Sequence, residues 1–382
     1  MSVDESVALL GQQATALLRA QWGADVVLET PIVLKDATRN RIVRYAVAGA
    51  ALPGRQSVIV KQITREAARG FTDWAGLAFL TGVPGTAGLS PRFYAGDPAA
   101  GFFVMQDMGG SRSLDDVLRG DDPAAVWTGF LALARQTARL HGLTLNREAA
   151  FTQARADLPE AGALTRHAEA ARWQAGLDGV YDWLAAVDCP APAGLAACCA
   201  RIAGVYADPG PFLTFTHGDM APTNNHLVDG HISLVDFEYG AFRHALYDMT
   251  CWQMLCPLPE DLVAAISATY RAALAPYCPA VQDADGYAAA WADLCAYRGL
   301  AMLQWIPPGI LEANRSWVDD WTMREAVLAT VEQLREVSAP FPDRAPLTAA
   351  AAALAQTLRR RWPEFTTVLP RWPALRLQGY RM

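Results

Sequence analysis

Short runs of apolar and β-branched residues, separated by turn residues, fill much of the first hundred positions of the chain. Such runs read as strands over 25–34, 41–49, 57–63, 91–97 and 101–108. Between the third and the fourth run, residues 65–81 carry apolar positions at near-helical spacing. A helix is predicted over 4–21 as well. This order predicts a five-stranded antiparallel sheet with one helix inserted after the third strand.

The pattern changes at GGSRSLDD, residues 109–116, where the glycines and serines indicate a loop. Beyond it the chain is mainly helical, with long periodic segments over 123–143, 259–277, 284–305, 315–339 and 346–362. The predicted fold class is therefore α+β, with a small antiparallel sheet domain at 1–107 and a mainly helical domain at 108–382. A chain of 382 residues is long enough for two such domains, each with its own core.

One hairpin interrupts the helical part, within THGDMAPTNNHLVDGHISLVDFEYG, residues 216–240. Asp229 and Gly230 stand between two apolar runs, and an Asp-Gly pair in that position predicts a type I′ turn because both of its central residues need a positive φ. Counting outward from the turn pairs Asn224 with Val235. Asp236 then lies beside Asn224 at the open end of the hairpin.

Asp219 precedes the first strand of this hairpin by only a few residues, so the register gathers Asp219, Asn224 and Asp236 at one rim. Carboxylate and amide oxygens gathered in this way suit Mg²⁺, which prefers a few protein oxygens together with substrate phosphates. The alternative is an ordinary polar hairpin end, since Asp and Asn are common loop residues.

A zinc site is a second interpretation, because His217, Asp219, His226 and His231 are all possible ligands. The hairpin register places His226 and His231 away from the rim, and the chain contains no His-x-His or Cys-x-x-Cys unit. A metal-dependent hydrolase therefore stays open as an alternative with little support.

Lysine usage draws attention to one strand. Of the 32 basic residues only Lys35 and Lys61 are lysines, and Lys61 lies in SVIVKQI, a run typical of a buried strand. A buried ammonium is costly unless it has a charged partner, and a compact ammonium can reach phosphate oxygens as a point charge. The alternative is a lysine at a strand end that extends to solvent.

The net charge and the cysteine content indicate which binding partners and which cellular compartment to expect. The net charge of −7 argues against a nucleic-acid or anionic-membrane partner and is compatible with a cationic ligand. The seven cysteines are scattered and odd in number, which is typical of reduced thiols. No signal-peptide pattern or apolar run of transmembrane length is present. We expect a cytoplasmic protein, and its oligomeric state is not indicated.

Taken in order, these motifs resemble the aminoglycoside phosphotransferase and choline/ethanolamine kinase superfamily, which has a bilobal protein-kinase-like fold. The resemblance runs from about Leu34 to Cys256, and its most specific part is HGD-x4-N at 217–224 followed by DFE at 236–238. It implies an ATP-dependent kinase that uses Mg²⁺, with the nucleotide bound by the N-terminal domain.

Roles for individual residues follow from the resemblance. Asp219 matches the catalytic base that accepts the proton of the substrate hydroxyl, and His217 braces its loop. Asn224 and Asp236 match the two Mg²⁺ ligands. Lys61 matches the lysine that holds the α- and β-phosphates of ATP.

The nucleotide contacts implied by the resemblance are less specific. Gln106 to Met108 match the hinge whose backbone binds adenine, and Asn40 lies in the nucleotide-covering loop, which here contains no glycine. Asp73 stands where the helix usually offers a glutamate to the lysine. This departure leaves open whether Asp73 or Glu66 pairs with Lys61.

The phosphate acceptor is the least defined part. The resemblance suggests that Glu238 supports the metal or the substrate and that the acceptor contacts Trp305, Asp319 and Trp321. Aromatic faces with acids would suit an ammonium group. The alternative is that Trp317 and Trp321, four residues apart on a predicted helix, pack in the core.

The expected function is thus transfer of the γ-phosphate of ATP to a hydroxyl of a small molecule, cationic or neutral, such as an amino-alcohol, amino-sugar or aminoglycoside. A nucleotide-binding pseudokinase, without turnover, is the main alternative. The metal-dependent hydrolase is the third.

Overall fold

The computed structural model describes residues 3–22, 25–48, 56–160, 165–318, 321–365 and 372–376. The chain divides into two compact units. The first comprises Met1–Arg112, Arg147–Ala163 and Asn224–Gly240, and the second comprises Ser113–Asn146, Leu164–Thr223 and Ala241–Met382. Both units are assembled from discontinuous stretches of chain, and the predicted division into domains after residue 107 stays a prediction.

The first unit contains a five-stranded antiparallel sheet in the order β1-β2-β3-β5-β4. Numbered in chain order, its strands are β1 (Val27–Asp36), β2 (Asn40–Ala48), β3 (Ser57–Ile63), β4 (Phe93–Asp97) and β5 (Phe102–Gln106). Its helices are α1 (Val3–Trp22), α2 (Ala67–Gly82) and α5 (Glu148–Ala156). The predicted sheet, and the helix after its third strand, are confirmed.

The two faces of this sheet carry different contacts, because side chains alternate along a strand. Val58 and Val60 of β3 join a buried cluster with Leu10 and Leu18 of α1. Lys61 follows Val60 and so points to the opposite face, where α2 packs. On that side the ring of Trp74 from α2 lies 5.8 Å from that of Phe103 in β5.

The hairpin of the first unit is formed by β8 (Asn225–Val228) and β9 (His231–Leu234). Its register is the predicted one, since Val228 pairs with His231 and the N–H of Val235 donates to the carbonyl oxygen of Asn224 at 3.0 Å. The turn residues Asp229 and Gly230 have φ values of 48° and 78°, as a type I′ turn requires.

The second unit is mainly helical. Its helices are α3 (Leu114–Leu118), α4 (Pro123–Thr144), α6 (Arg166–Ala175), α7 (Asp178–Ala186), α8 (Leu195–Ala207), α9 (Leu246–Met249), α10 (Cys251–Met254), α11 (Glu260–Leu274), α12 (Ala284–Trp305), α13 (Met323–Ser338), α14 (Ala345–Arg361) and α15 (Pro373–Arg376). Its strands are β7 (Leu213–Thr216), β10 (Ala241–His244), β11 (Ser316–Val318) and β12 (Trp321–Thr322), and β6 (Arg112–Ser113) lies where the chain passes from the first unit to the second. Short 3-10 helices occur at Gly210–Phe212, Pro222–Asn224, Pro279–Gln282, Pro308–Leu311 and Pro342–Arg344. The predicted α+β class is confirmed. None of the helices described is both long and apolar enough to cross a bilayer.

The helix predicted over 315–339 is wrong in its first part, because α13 begins only at Met323, and Ser316–Val318 and Trp321–Thr322 form the strands β11 and β12. A capping box fixes the N-terminus of α13 at this point. The hydroxyl of Thr322 accepts a hydrogen bond from the N–H of Glu325, and the Glu325 carboxylate accepts one from the N–H of Thr322. Trp317 and Trp321 therefore do not share a helical face.

Candidate active site

The side chain of Lys61 lies between two carboxylates of the first unit. Its Nζ is 2.7 Å from Oδ2 of Asp73 in α2 and 2.6 Å from Oδ1 of Asp236, which follows the hairpin. Lys61 is 2% exposed and Asp73 is fully buried, whereas the Asp236 side chain keeps 29% of its surface open. The structure thus brings together three of the predicted site residues.

These carboxylates keep the buried lysine charged. Burial alone would lower the pKa of Lys61, but the charges of Asp73 and Asp236 and their hydrogen bonds outweigh it and raise the pKa above its ordinary value. Lys61 is therefore an ammonium at neutral pH. Of its two carboxylate partners, Asp236 is the one that is partly exposed to solvent.

The partner of Lys61 on α2 is Asp73, which answers the question left open by the sequence. Glu66 instead pairs with Arg69 at 2.9 Å and lies 3.8 Å from Arg39. The second oxygen of Asp73, Oδ1, accepts a hydrogen bond from the backbone N–H of Phe237 at 2.7 Å. Asp73 therefore ties both the lysine and the Asp-Phe-Glu motif to α2.

The candidate metal ligands meet at the open end of the hairpin. Because the N–H of Val235 donates to the carbonyl oxygen of Asn224, the next residue, Asp236, lies beside Asn224. Asp236 has a φ of 68°, which costs about 1–3 kcal/mol for a residue with a side chain and is often found at functional sites. An amide and a partly exposed carboxylate are donors of the type that Mg²⁺ takes, so Asn224 and Asp236 fit this ion.

Glu238, two residues beyond Asp236, is 7% exposed and pairs with an arginine from outside its own motif. Nη1 of Arg39, in the turn between β1 and β2, lies 3.0 Å from its Oε1. Burial and the neighbouring Asp236 carboxylate raise the pKa of Glu238, and Arg39 and Lys61 offset this only in part. The β1–β2 turn is thereby connected to the Asp-Phe-Glu motif.

The backbone of that turn is also held in place. The carbonyl oxygen of Arg39 accepts hydrogen bonds from the N–H groups of Thr64 and Arg65 just after β3. Asn40, a predicted nucleotide contact, is the first residue of β2 and only 6% exposed, and its Oδ1 has no hydrogen-bond partner among the described residues.

The predicted hinge residues Gln106 and Met108 lie at and just beyond the end of β5, and both are partly exposed. Between them Asp107, which the sequence did not single out, anchors the segment. Its carboxylate accepts from Nε of Arg44 at 2.6 Å and from the hydroxyl of Ser57 at 2.6 Å. Burial would raise the pKa of Asp107, but these hydrogen bonds hold it below its ordinary value.

The predicted catalytic loop belongs to the second unit and follows β7. His217 is fully buried, and its Nδ1 accepts a hydrogen bond from the N–H of Asp219 at 3.3 Å. Oδ1 of Asp219 accepts in turn from the N–H of Ala221 at 3.3 Å. Gly218 between them has a φ of 85°, a conformation open to glycine at little cost. The Asp219 side chain remains partly exposed.

Asp248 of α9 holds the backbone of this loop through hydrogen bonds, and the sequence analysis did not identify this residue. Its Oδ2 accepts from the N–H of His217 at 2.7 Å and contacts Nε2 of His141 at 3.1 Å, while its Oδ1 accepts from the N–H of Gly218 at 2.9 Å. Burial would raise the pKa of Asp248, but His141 and the other donors hold it well below its usual range. The sequence signal that was available is a carboxylate within the mostly apolar run AFRHALYDMTCW, because a buried carboxylate needs hydrogen-bond donors or a charged partner.

The predicted acceptor residues are placed differently from one another. Trp305 ends α12 and is 56% exposed, whereas Trp321 is 4% exposed and packs inside the second unit. Asp319 lies outside the described residues. Of the two tryptophans, only Trp305 therefore offers an open aromatic face.

The two hairpin histidines proposed for zinc lie in different surroundings. Nδ1 of His226 is 2.9 Å from the hydroxyl of Ser111, and His231 is exposed at the hairpin turn. Within the described ranges, no three His, Cys, Asp or Glu side chains are grouped so that they could hold a metal ion.

Comparison with known proteins finds matches only among solved structures, since no family model and no curated protein matches the chain. The choline kinase LicA from Streptococcus pneumoniae is 14% identical, with 92% of this chain and 99% of that chain covered and a TM-score of 0.44. The macrolide 2′-phosphotransferase MphH from Brachybacterium faecium is 15% identical, with 76% and 98% covered and a TM-score of 0.46. The ternary complex of APH(2″)-IIa with streptomycin and ATP is 9% identical, with 91% and 99% covered and a TM-score of 0.49.

Proposed function

We propose that this protein is an ATP-dependent phosphotransferase that transfers the γ-phosphate of ATP to a hydroxyl of a small molecule. The observation that carries the proposal is the charged Lys61, held at 2.7 Å by Asp73 and at 2.6 Å by Asp236 beside Asn224. A buried cation next to two oxygen ligands for a metal is what a triphosphate with its Mg²⁺ requires.

In this proposal Lys61 binds the α- and β-phosphate oxygens, and Asn224 and Asp236 hold Mg²⁺. The bound ion supplies positive charge that offsets the charge on the transferring phosphoryl group. The backbone of Gln106 to Met108 receives the adenine, and Asp107 keeps that segment in position through its contacts with strands β2 and β3.

Asp219 acts on the acceptor. The acceptor oxygen forms its bond to the γ-phosphorus while the bond from that phosphorus to the leaving oxygen of ADP breaks, and the hydroxyl proton passes to the Asp219 carboxylate. His217 and Asp248 are positioning residues, because they hold the backbone of the loop that carries Asp219.

The proposed acceptor is a small hydroxylated molecule, with amino-alcohols, amino-sugars and aminoglycosides as the first candidates. The net charge of −7 favours a cation over an anion or a nucleic acid. The exposed ring of Trp305 is a suitable contact for an ammonium group. Glu238 stays a proposed substrate or metal contact, although it is now bound to Arg39.

The decisive experiment measures ADP release from MgATP by the purified protein with choline, ethanolamine, amino-sugars and aminoglycosides as acceptors. We expect one class to stimulate release, and Asp219→Asn to lower kcat by about 10²–10⁴-fold while MgATP still binds. Asp208→Asn, an exposed aspartate of the second unit, serves as the matched control and should not change kcat.

The other outcomes separate the alternatives. Binding of MgATP without release of ADP for any acceptor would favour a pseudokinase. Failure to bind MgATP at all would refute the proposal, and tightly bound zinc in the purified protein would then favour a metal-dependent hydrolase.

A further inference from the structure

The carboxylate that pairs with Lys61 belongs to an aspartate, which is one methylene shorter than the glutamate implied by the resemblance. The ion pair is nevertheless close, at 2.7 Å. A shorter side chain can bridge the same two elements only if their backbones are nearer to each other, by about the 1.5 Å of one carbon–carbon bond. The packing of α2 on the sheet contains such a close approach.

Gly70 lies one helical turn before Asp73 and is pressed against β3. A Cβ built on Gly70 would lie 2.6 Å from Cγ1, 2.7 Å from Cγ2 and 2.8 Å from Cδ1 of Ile63. Real Cβ atoms do not approach other atoms this closely. Two of the three atoms are bonded directly to the Cβ of Ile63, whose branched side chain is stiff at χ1, so a simple rotation would not open the space.

The glycine contact and the ion pair join the same two surfaces. Lys61 and Ile63 are two residues apart on β3, so they face the same side of the sheet. Gly70 and Asp73 are three residues apart on α2, so they share one face of the helix. The two contacts are separated by only about 4.5 Å along the helix axis.

A second glycine makes room for a side chain of this helix. A Cβ built on Gly96 of β4 would lie 2.3 Å from Cη2 of Trp74, the neighbour of Asp73. The missing side chain of Gly96 therefore leaves room for the Trp74 ring between α2 and β4.

We propose that Gly70 is a positioning residue whose missing side chain sets the distance between α2 and β3 at which an aspartate, rather than a glutamate, reaches Lys61. The inference rests on the proposed function, in which Lys61 holds the phosphates of ATP. An alanine at position 70 would need about 0.8 Å of extra space before Ile63 comes into ordinary contact at 3.4 Å. An ion pair of 2.7 Å would then lengthen beyond the range of a good hydrogen bond.

The test compares Gly70→Ala, Asp73→Glu and the double variant with the unaltered protein. Gly82→Ala is the matched control, since Gly82 lies on the same helix with no atom within 4 Å of its built Cβ. We expect Gly70→Ala to weaken MgATP binding by about 10-fold and Gly82→Ala to leave it unchanged. Asp73→Glu alone should also weaken binding, because the longer side chain enters a space fitted to the shorter one.

The MgATP affinity of the double variant decides whether the inference is correct. If the helix spacing is the cause, the glutamate recovers the reach that the alanine removes, and the double variant binds MgATP more tightly than Gly70→Ala. The inference is overturned if Gly70→Ala binds MgATP normally, or if the double variant binds it no better than Gly70→Ala.

Urea denaturation of the same five proteins separates this inference from the proposed function. If the unaltered protein binds no MgATP, the proposed function fails, but the unfolding midpoints still test the spacing. Recovery of the midpoint in the double variant relative to Gly70→Ala would support the positioning role of Gly70, and a further fall would refute it.

Discussion

Replacement of Asp248 by asparagine is the sharpest stability test of the second unit. The substitution keeps the volume of the side chain but removes its charge and one of its two acceptor oxygens. In the folded protein both oxygens are used, by the N–H of His217 at 2.7 Å and by the N–H of Gly218 at 2.9 Å, and Nε2 of His141 adds a third contact. The amide NH₂ of an asparagine would face one of these buried donors.

The expected loss can be worked out from these contacts. A hydrogen bond to a charged group contributes about 1.5–3 kcal/mol, and a buried donor left without an acceptor costs about 1–3 kcal/mol more. We therefore expect Asp248→Asn to lower the free energy of unfolding by about 3–5 kcal/mol. Since the loop that carries Asp219 would shift, kcat should also fall by about 100-fold.

Urea denaturation followed by tryptophan fluorescence measures the first effect, with Asp121→Asn, at an exposed position of the same unit, as the control. The pH dependence gives an independent check. Because the pKa of Asp248 is depressed in the folded protein, its stabilisation is present above about pH 4 and is lost as the pH falls through the folded pKa. The difference between the two proteins should therefore shrink in acid. A change of less than about 1 kcal/mol at neutral pH would show that Asp248 does not hold the loop.

Two further predictions concern stability. Gly230→Ala should destabilise the protein by about 1–2 kcal/mol, because φ is 78° there although the space around it is open. Gly204→Ala, in α8 with equally open surroundings, should instead stabilise the protein by about 0.5–1 kcal/mol. Equal unfolding midpoints of the two variants in urea would contradict this contrast. Burial, together with the charge of His141, lowers the pKa of His244 to about 3, so the unfolded chain binds a proton there that the folded protein does not, and stability should fall as the pH drops from about 6.5. In denaturation series between pH 4 and 6, His244→Gln should show a slope smaller by about 1.4 kcal/mol per pH unit, and an unchanged slope would assign the dependence to other groups.

Local rules explain which features could be predicted from the sequence. The hairpin register follows from Asp229 and Gly230, because a two-residue turn determines the pairing of the strands on either side. The same register places Asp236 beside Asn224, but it does not indicate that Asp236 also pairs with Lys61. The choice between Asp73 and Glu66 was not predictable either, because it depends on how closely α2 packs against the sheet.

Features that depend on distant partners were missed. Asp248 binds the backbone of His217, which lies 31 residues earlier in the chain. Asp107 binds Arg44, which lies 63 residues earlier. A helix was predicted over 315–339, whereas the structure has the strands β11 and β12 in the first part of that range and a helix that begins only after the cap at Thr322. Intrinsic periodicity is a weak guide where packing against other elements decides.

Because the first unit comprises three separate stretches of chain, recombination between related genes can separate residues that contact each other in the fold. The carboxylates that neutralise Lys61 come from Asp73 in the first stretch of the unit and from Asp236 in its third stretch, more than a hundred residues later. A gene segment ending near codon 112 would encode the sheet but only half of the counter-charge for its buried lysine. Recombination between relatives at that point would combine a lysine and an aspartate selected in different backgrounds. We therefore expect viable chimaeras to exchange the segment at 224–240 together with the N-terminal strands.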